Sequence, residues 1–224
     1  MAGQVSFLPY LEGQRLLAHY EIPLAPARLV PDVAAAAAAA GELGLPVAMK
    51  AISPAASHKS EAGLVRLNLS TEAAVRTAGE SLLLAVSGSP VEGLLVQAML
   101  PPGVEMIAGV SADPHFGPVL AVGSGGILVE LLDDAVLRLP PLTDRQARQM
   151  IAETRAWRLL QGFRGRPPAD VAALASLLVK LSYLALDQSA WLESLDLNPV
   201  IVLPAGQGAW VVDLRLAVRG TEAG

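Results

Sequence analysis

The stretch from Trp191 to Arg215 limits the chain's choices more than any other. Trp191-Leu-Glu-Ser-Leu-Asp-Leu-Asn-Pro-Val-Ile-Val-Leu203 and Ala209-Trp-Val-Val-Asp-Leu-Arg215 read as two strands, joined by the turn Pro204-Ala-Gly-Gln-Gly208. A period of two puts Asp196 and Asn198 on one face of the pleat. Antiparallel pairing about a turn centred between Ala205 and Gly206 brings Asn198 opposite Asp213. Two carboxylates and an amide oxygen then converge. These are hard ligands in an incomplete cage, which suits Mg²⁺ that keeps waters and completes its octahedron with substrate phosphates. The plainer alternative is that Asn198-Pro199 closes a strand and the aspartates are solvated edge charges.

Bulk properties narrow the partners. The 224 residues suffice for one large domain or two lobes. A net charge of −5 without a basic stripe argues against nucleic acid, while leaving room for a local cationic pocket around a phosphorylated small molecule. With no cysteine there is no disulfide framework and no thiolate metal site, as suits a reducing cytoplasm. Mean hydropathy is high at +0.47. Alanine supplies most of it, and no apolar run approaches the roughly 20 residues a membrane span needs. The N-terminus has no cationic segment ahead of an apolar one. The expectation is a soluble, cytoplasmic protein with no membrane contact.

Along the chain, Leu11, Leu16, Leu17 and Tyr20 share one face of a first helix, which ends at the Ile22–Pro26 segment. A short extended piece spans Ala27 to Val30. Asp32 caps a helix through the alanine run and Gly44 closes it. Pro46 to Ile52 is an apolar strand carrying Lys50, whose charge there requires an answering partner. Residues 53–63 form a polar loop holding His58 and Lys59. Leu64 to Leu69 is a strand, and Ser70 is placed to cap a helix to about Val86. Leu94 to Met99 is a further strand, and Pro101-Pro-Gly103 breaks the chain before Val104 to Val110. The double proline divides a lobe of residues 1–101 from one of residues 102–224. In the second lobe, Val119 to Val122 leads into Gly123-Ser-Gly-Gly126, then a strand from Ile127 to Leu131. Thr143 and Gln146 match a capping box opening a helix to about Leu160. Asp170 starts a second helix, with Leu174, Leu177, Leu178, Leu181 and Leu184 along one side.

Other residues carry chemistry less specifically. Gly123-Ser-Gly-Gly126 allows backbone N–H groups to approach a phosphate, but lacks the P-loop and dinucleotide spacings, so a plain turn is an equal reading. His58 has the pKa class of a catalytic group, although a loop histidine is more often solvated.

Several segments, in order, resemble the ATP-grasp β subunit of ADP-forming acyl-CoA (acetyl-CoA) synthetases. They are Val47-Ala-Met-Lys-Ala-Ile-Ser-Pro54, His58-Lys-Ser-Glu-Ala-Gly63, Leu95-Val-Gln-Ala-Met99, Gly103-Val-Glu105, Asp113-Pro-His-Phe-Gly-Pro118, Gly125-Gly-Ile127 and Leu195-Asp-Leu-Asn-Pro199. Leu160-Gln-Gly-Phe-Arg-Gly165, Pro167-Pro-Ala-Asp170 and Val212-Asp-Leu-Arg215 continue the match. A more distant resemblance is to the nucleotide-binding subunit of succinyl-CoA synthetase.

The resemblance implies an α/β (α+β) ATP-grasp fold of two lobes with the nucleotide held between them. It implies a subunit that interconverts acyl-CoA, ADP and phosphate with acid, CoA and ATP. Lys50 and Lys59 then serve the nucleotide phosphates, together with Gly125, Gly126 and Arg215. Gln97, Ala98 and Met99 correspond to the hinge that reads the adenine edge, and Glu105 is expected at the ribose. Asp196, Asn198 and Asp213 correspond to the Mg²⁺ ligands, and His58 to a transiently phosphorylated histidine. An α subunit would supply the CoA and acyl-phosphate sites, in a heterotetramer. Three positions depart from the pattern: Leu64 and Ala98 replace an expected glycine and glutamate, and Ser124 replaces a residue that is usually apolar. Two other functions fit these residues: a stand-alone ATP-grasp carboxylate ligase, and a non-catalytic nucleotide-sensing module of an acyltransferase system.

Overall fold

The computed structural model describes residues 5–53, 63–125 and 134–220. The chain divides into two compact units, one of Met1–Leu8, Glu12–Leu24 and Pro101–Gly224, the other of Pro9–Leu11 and Ala25–Leu100. Helix α1 (Tyr10–His19) starts in the second unit and continues in the first.

In the second unit a four-stranded antiparallel sheet runs β2-β5-β3-β4, made of β2 (Ala27–Val30), β3 (Val47–Ile52), β4 (Val65–Leu69) and β5 (Gly93–Ala98). Helices α2 (Val33–Leu43) and α3 (Glu72–Ala85) pack on one face. Alanine's small side chain lets α2 lie close, with Ala36, Ala39 and Ala40 joining Val47, Met49, Val75, Leu82, Leu94 and Val96 in the core. The caps of α2 are as the sequence suggests: Asp32 accepts the Ala35 N–H at 2.8 Å, and Gly44, at φ 85°, closes the helix by donating to the Ala40 carbonyl. The cap of α3 is one residue later than expected. Thr71, not Ser70, accepts the Ala74 N–H at 3.1 Å, because Thr71 holds the extended backbone a cap requires.

The first unit carries a seven-stranded antiparallel sheet in the order β1-β11-β9-β6-β7-β8, with β10 paired to β9. Its strands are β1 (Val5–Phe7), β6 (Val104–Asp113), β7 (Gly117–Ser124), β8 (Val136–Arg138), β9 (Leu192–Val202), β10 (Ala209–Val211) and β11 (Leu214–Arg219). Against it lie α4 (Asp144–Glu153), α5 (Trp157–Leu160) and α6 (Val171–Asp187). Leu174, Leu177, Leu178, Leu181 and Leu184 of α6 are buried with Met106, Leu120, Leu195, Leu197 and Val200 of the sheet. Each such side chain contributes roughly 1.5–3 kcal/mol of apolar burial.

The single helix expected from Thr143 to about Leu160 is two. The capping box of Thr143 and Gln146 opens α4 as read. The helix then stops at Thr154, whose hydroxyl donates to the Ile151 carbonyl at 2.8 Å, while the Arg155 N–H leaves the helical ladder for the Asp134 carboxylate at 2.9 Å. Strands β1 and β8, three residues each, carry too little periodicity to stand out in sequence. The strand expected at Ile127 to Leu131 lies outside the described residues. Among the described residues no helix is long and apolar enough to cross a membrane.

Candidate nucleotide and metal site

The C-terminal hairpin has the register that the sequence implies. Val202 pairs with Ala209, Ile201 with Trp210 and Val200 with Val211. The same register continues beyond Pro199, with Leu197 opposite Leu214, Asp196 opposite Arg215 and Leu195 opposite Leu216. Between these runs the Val212 N–H donates to the Pro199 carbonyl at 3.0 Å and the Asn198 N–H to the Asp213 carbonyl at 3.2 Å. Asn198 is therefore opposite Asp213. Cross-strand partners share a face, so Asp196, Asn198, Asp213 and Arg215 lie on one side, while Leu195, Leu197 and Leu216 fill the core on the other.

On the other edge of β9, Met106 pairs with Val200 but Ala108 with Leu197, so Asn198 and Pro199 together face Ile107 alone. This bulge lets two successive residues leave the core side, which plain alternation does not reveal. Beside Asp196 on β6 stands Gly109, which adds no side chain to that face. Asp196 and Asp213 are half-buried and Asn198 is exposed. The Asp213 Oδ1 is oriented by the Leu214 N–H at 3.0 Å. The Arg215 guanidinium carbon sits 4.1 Å above the Phe7 ring, and its Nη1 is buried without a hydrogen-bond partner among the described residues. A buried cationic N–H in that condition costs free energy until an anion answers it.

The hairpin turn is fixed by Asp170, the N-cap of α6. Its Oδ1 accepts the Ala173 N–H at 3.0 Å, and its Oδ2 accepts those of Gly206 at 2.9 Å and Gly208 at 3.0 Å. Burial opposes ionisation, but these backbone donors together hold the Asp170 carboxyl below its ordinary pKa.

Glu105 and Gly125 are brought together by main chain. The Gly125 N–H donates to the Glu105 carbonyl at 2.9 Å. A Cβ on Gly125 would come within 2.8 Å of the Glu105 and Met106 backbone, so only glycine permits this approach. The Glu105 side chain itself is exposed. Next to Gly125, Ser124 is bound twice by Asp134: its N–H donates to Oδ1 at 3.0 Å and its hydroxyl to Oδ2 at 2.8 Å. With the Arg155 N–H, these bonds outweigh the opposing effect of burial and lower the Asp134 pKa. Asp134 carried no sequence signal, since it follows the glycine-rich stretch by eight residues with no motif of its own.

In the other unit, Lys50 and Gln97 share the sheet face away from α2 and α3, because Lys50 pairs with Leu95 and Ala48 with Gln97. The alternation of β3 thus leaves Lys50 half-buried rather than in the core with Met49 and Ala51. Gln97 is buried, and the N–H groups of Ala98 and Met99 donate to the carbonyls of Pro26 at 2.9 Å and Pro46 at 3.4 Å. Leu64, where the resemblance expected glycine, is a buried member of this unit's core. His58, Lys59 and Gly126 lie outside the described residues.

Comparison with known proteins places this architecture. The ATP-grasp domain family matches residues 1–218. The β subunit of ADP-forming acetate–CoA ligase II of Pyrococcus furiosus is 38% identical over 97% of this chain and 94% of its own length. The chain belongs to the ATP-grasp family, among the β subunits of ADP-forming acetate–CoA ligases. A second relative, ADP-forming acetate–CoA ligase I of Archaeoglobus fulgidus, is 42% identical over 94% of this chain, which spans only 31% of that longer protein. The matching region is thus a separate β subunit in one relative and part of a longer protein in another. Among solved structures, acetyl-coenzyme A synthetase 1 of Ca. Korarchaeum cryptofilum is 37% identical, with a TM-score of 0.82 over 96% of this chain and 93% of that one. That structure holds coenzyme A and Mg-AMPPCP, with its phosphohistidine segment pointing towards the nucleotide-binding site.

Proposed function

We propose that this chain is the nucleotide-binding β subunit of an ADP-forming acyl-CoA synthetase, interconverting acyl-CoA, ADP and phosphate with acid, CoA and ATP in the cytoplasm. The observation that carries the reading is the hairpin register, which supports a common role for Asp196, Asn198, Asp213 and Arg215. The donors fit Mg²⁺: all are oxygens, two of them carboxylates, with no thiolate or imidazole among them. Among the described residues no group of three or more His, Cys, Asp or Glu side chains could hold a metal.

In this reading Asp196, Asn198 and Asp213 would hold Mg²⁺, which when bound would offset the charge of the nucleotide phosphates. Lys50, Lys59 and Arg215 neutralise the rest, and Gly125 and Gly126 serve the phosphates through their backbone. Gln97, Ala98 and Met99 border the adenine, and Glu105 orients the ribose. Neutral His58 attacks the γ-phosphorus. A nitrogen–phosphorus bond forms as the bond to the ADP oxygen breaks, and ADP leaves. The protein's part in such a transfer is positioning and charge neutralisation. The phosphoryl group then passes to an α subunit carrying the CoA and acyl-phosphate sites, in a heterotetramer.

Calorimetric titration with ADP, with and without Mg²⁺, tests the metal face. Asp196→Ala should remove most of the Mg²⁺-dependent gain in affinity while the thermal transition stays within a few degrees of wild type. An unchanged gain would remove the hairpin from the site.

A further inference from the structure

Asp134 is a half-buried carboxylate whose three hydrogen bonds tie together two separate points of the chain. It accepts two bonds from Ser124, at the end of β7, and one from Arg155, just after α4 breaks. Ser124 is 1% exposed, so its N–H and hydroxyl have no water to turn to. The contact joins Ser124, within the glycine-rich stretch, to Asp134, eight residues beyond that stretch. It also reaches the neighbouring strand: Ser124 pairs with Met106, and the next residue, Gly125, donates its N–H to the Glu105 carbonyl. The 2.8 Å approach that excludes a Cβ at Gly125 leaves no slack in that joint.

We infer that Asp134, acting through Ser124, is a positioning residue for nucleotide binding, setting the Gly125 main chain and with it the backbone of Glu105 at the nucleotide's edge. The inference rests on the nucleotide-binding role proposed above for Glu105 and Gly125. Asp134 touches no reacting atom in this scheme. Its contribution is to remove freedom from the Ser124–Gly125 main chain, so that less entropy is lost when ADP or ATP binds.

The test uses the full chain and calorimetric titration with Mg·ADP, at a temperature well below the melting transition of every variant. Asp134→Ala should weaken affinity roughly five- to tenfold and Ser124→Ala about threefold, the latter removing one of the three bonds. The double variant should be no weaker than Asp134→Ala, because both act through one contact. Amide hydrogen exchange at Ser124 and Gly125 should accelerate in the same order. A structural role alone would lower the melting temperature and leave the affinity unchanged, which would overturn the inference. So would additive losses in the double variant. If Asp134→Ala does not fold, Ser124→Ala carries the test: unchanged affinity with faster exchange at Gly125 overturns the inference. A wild-type chain that binds no Mg·ADP would instead refute the nucleotide-binding reading itself.

Discussion

Arg215 carries a cost that the fold alone does not repay. Its Nη1 is buried with no hydrogen-bond partner among the described residues, and its guanidinium carbon lies 4.1 Å above Phe7. An unsatisfied buried donor costs about 1–3 kcal/mol. The stacking on Phe7 returns about 0.5–2 kcal/mol, towards the lower end because the ring is partly exposed. Methionine at this position would keep an apolar side chain on the ring, worth about 0.3–1.5 kcal/mol, and would remove the unanswered donor. Arg215→Met should therefore leave the urea unfolding free energy within about 1 kcal/mol of wild type, or raise it. Nucleotide binding should respond in the opposite sense. If the guanidinium answers phosphate, its charge-assisted bonds are worth about 1.5–3 kcal/mol, so the Kd for Mg·ADP should rise roughly 10- to 150-fold. The two measurements together decide the matter. A loss of more than about 3 kcal/mol in stability, as when a buried ion pair is broken, with Kd unchanged, would show that Arg215 is structural.

Two further outcomes follow from the same geometry. The Asp134 and Asp170 carboxyls have folded pKa values below the ordinary aspartate value, so both contribute stability above that value and lose it as pH falls through the folded one; melting temperature should drop below about pH 4, and Asp170→Asn should flatten that drop. Gly125→Ala must move main chain and should cost about 1–3 kcal/mol, whereas Gly41→Ala, within α2 and with nothing within 4 Å of the added Cβ, should stabilise by about 0.5–1 kcal/mol; urea unfolding compares them.

Elements with local chemistry were legible in the sequence. The Asp32 and Gly44 caps, the Thr143–Gln146 box and the leucine side of α6 announce themselves through side chains close in the chain. The hairpin register was legible too, because a Gly/Pro turn fixes which residues face each other. What escaped depends on distant residues. The break between α4 and α5 is set by Asp134 taking the Arg155 N–H, a contact across 21 positions. The bulge at Asn198 and Pro199 appears only against β6. Lys50 looked costly in an apolar strand, yet strand alternation gives it the face away from the helices. Ser124, a departure from the family pattern, proves to be the partner of a carboxylate ten residues away.

The proposed reaction carries a phosphoryl group from ATP onto His58 of this chain. The direct measurement is incubation with γ-labelled ATP, Mg²⁺ and an α partner, followed by denaturing electrophoresis of this chain. The wild-type chain should carry an acid-labile label that is absent from His58→Ala and from Asp196→Ala. A label that persists in His58→Ala would contradict the proposed reaction.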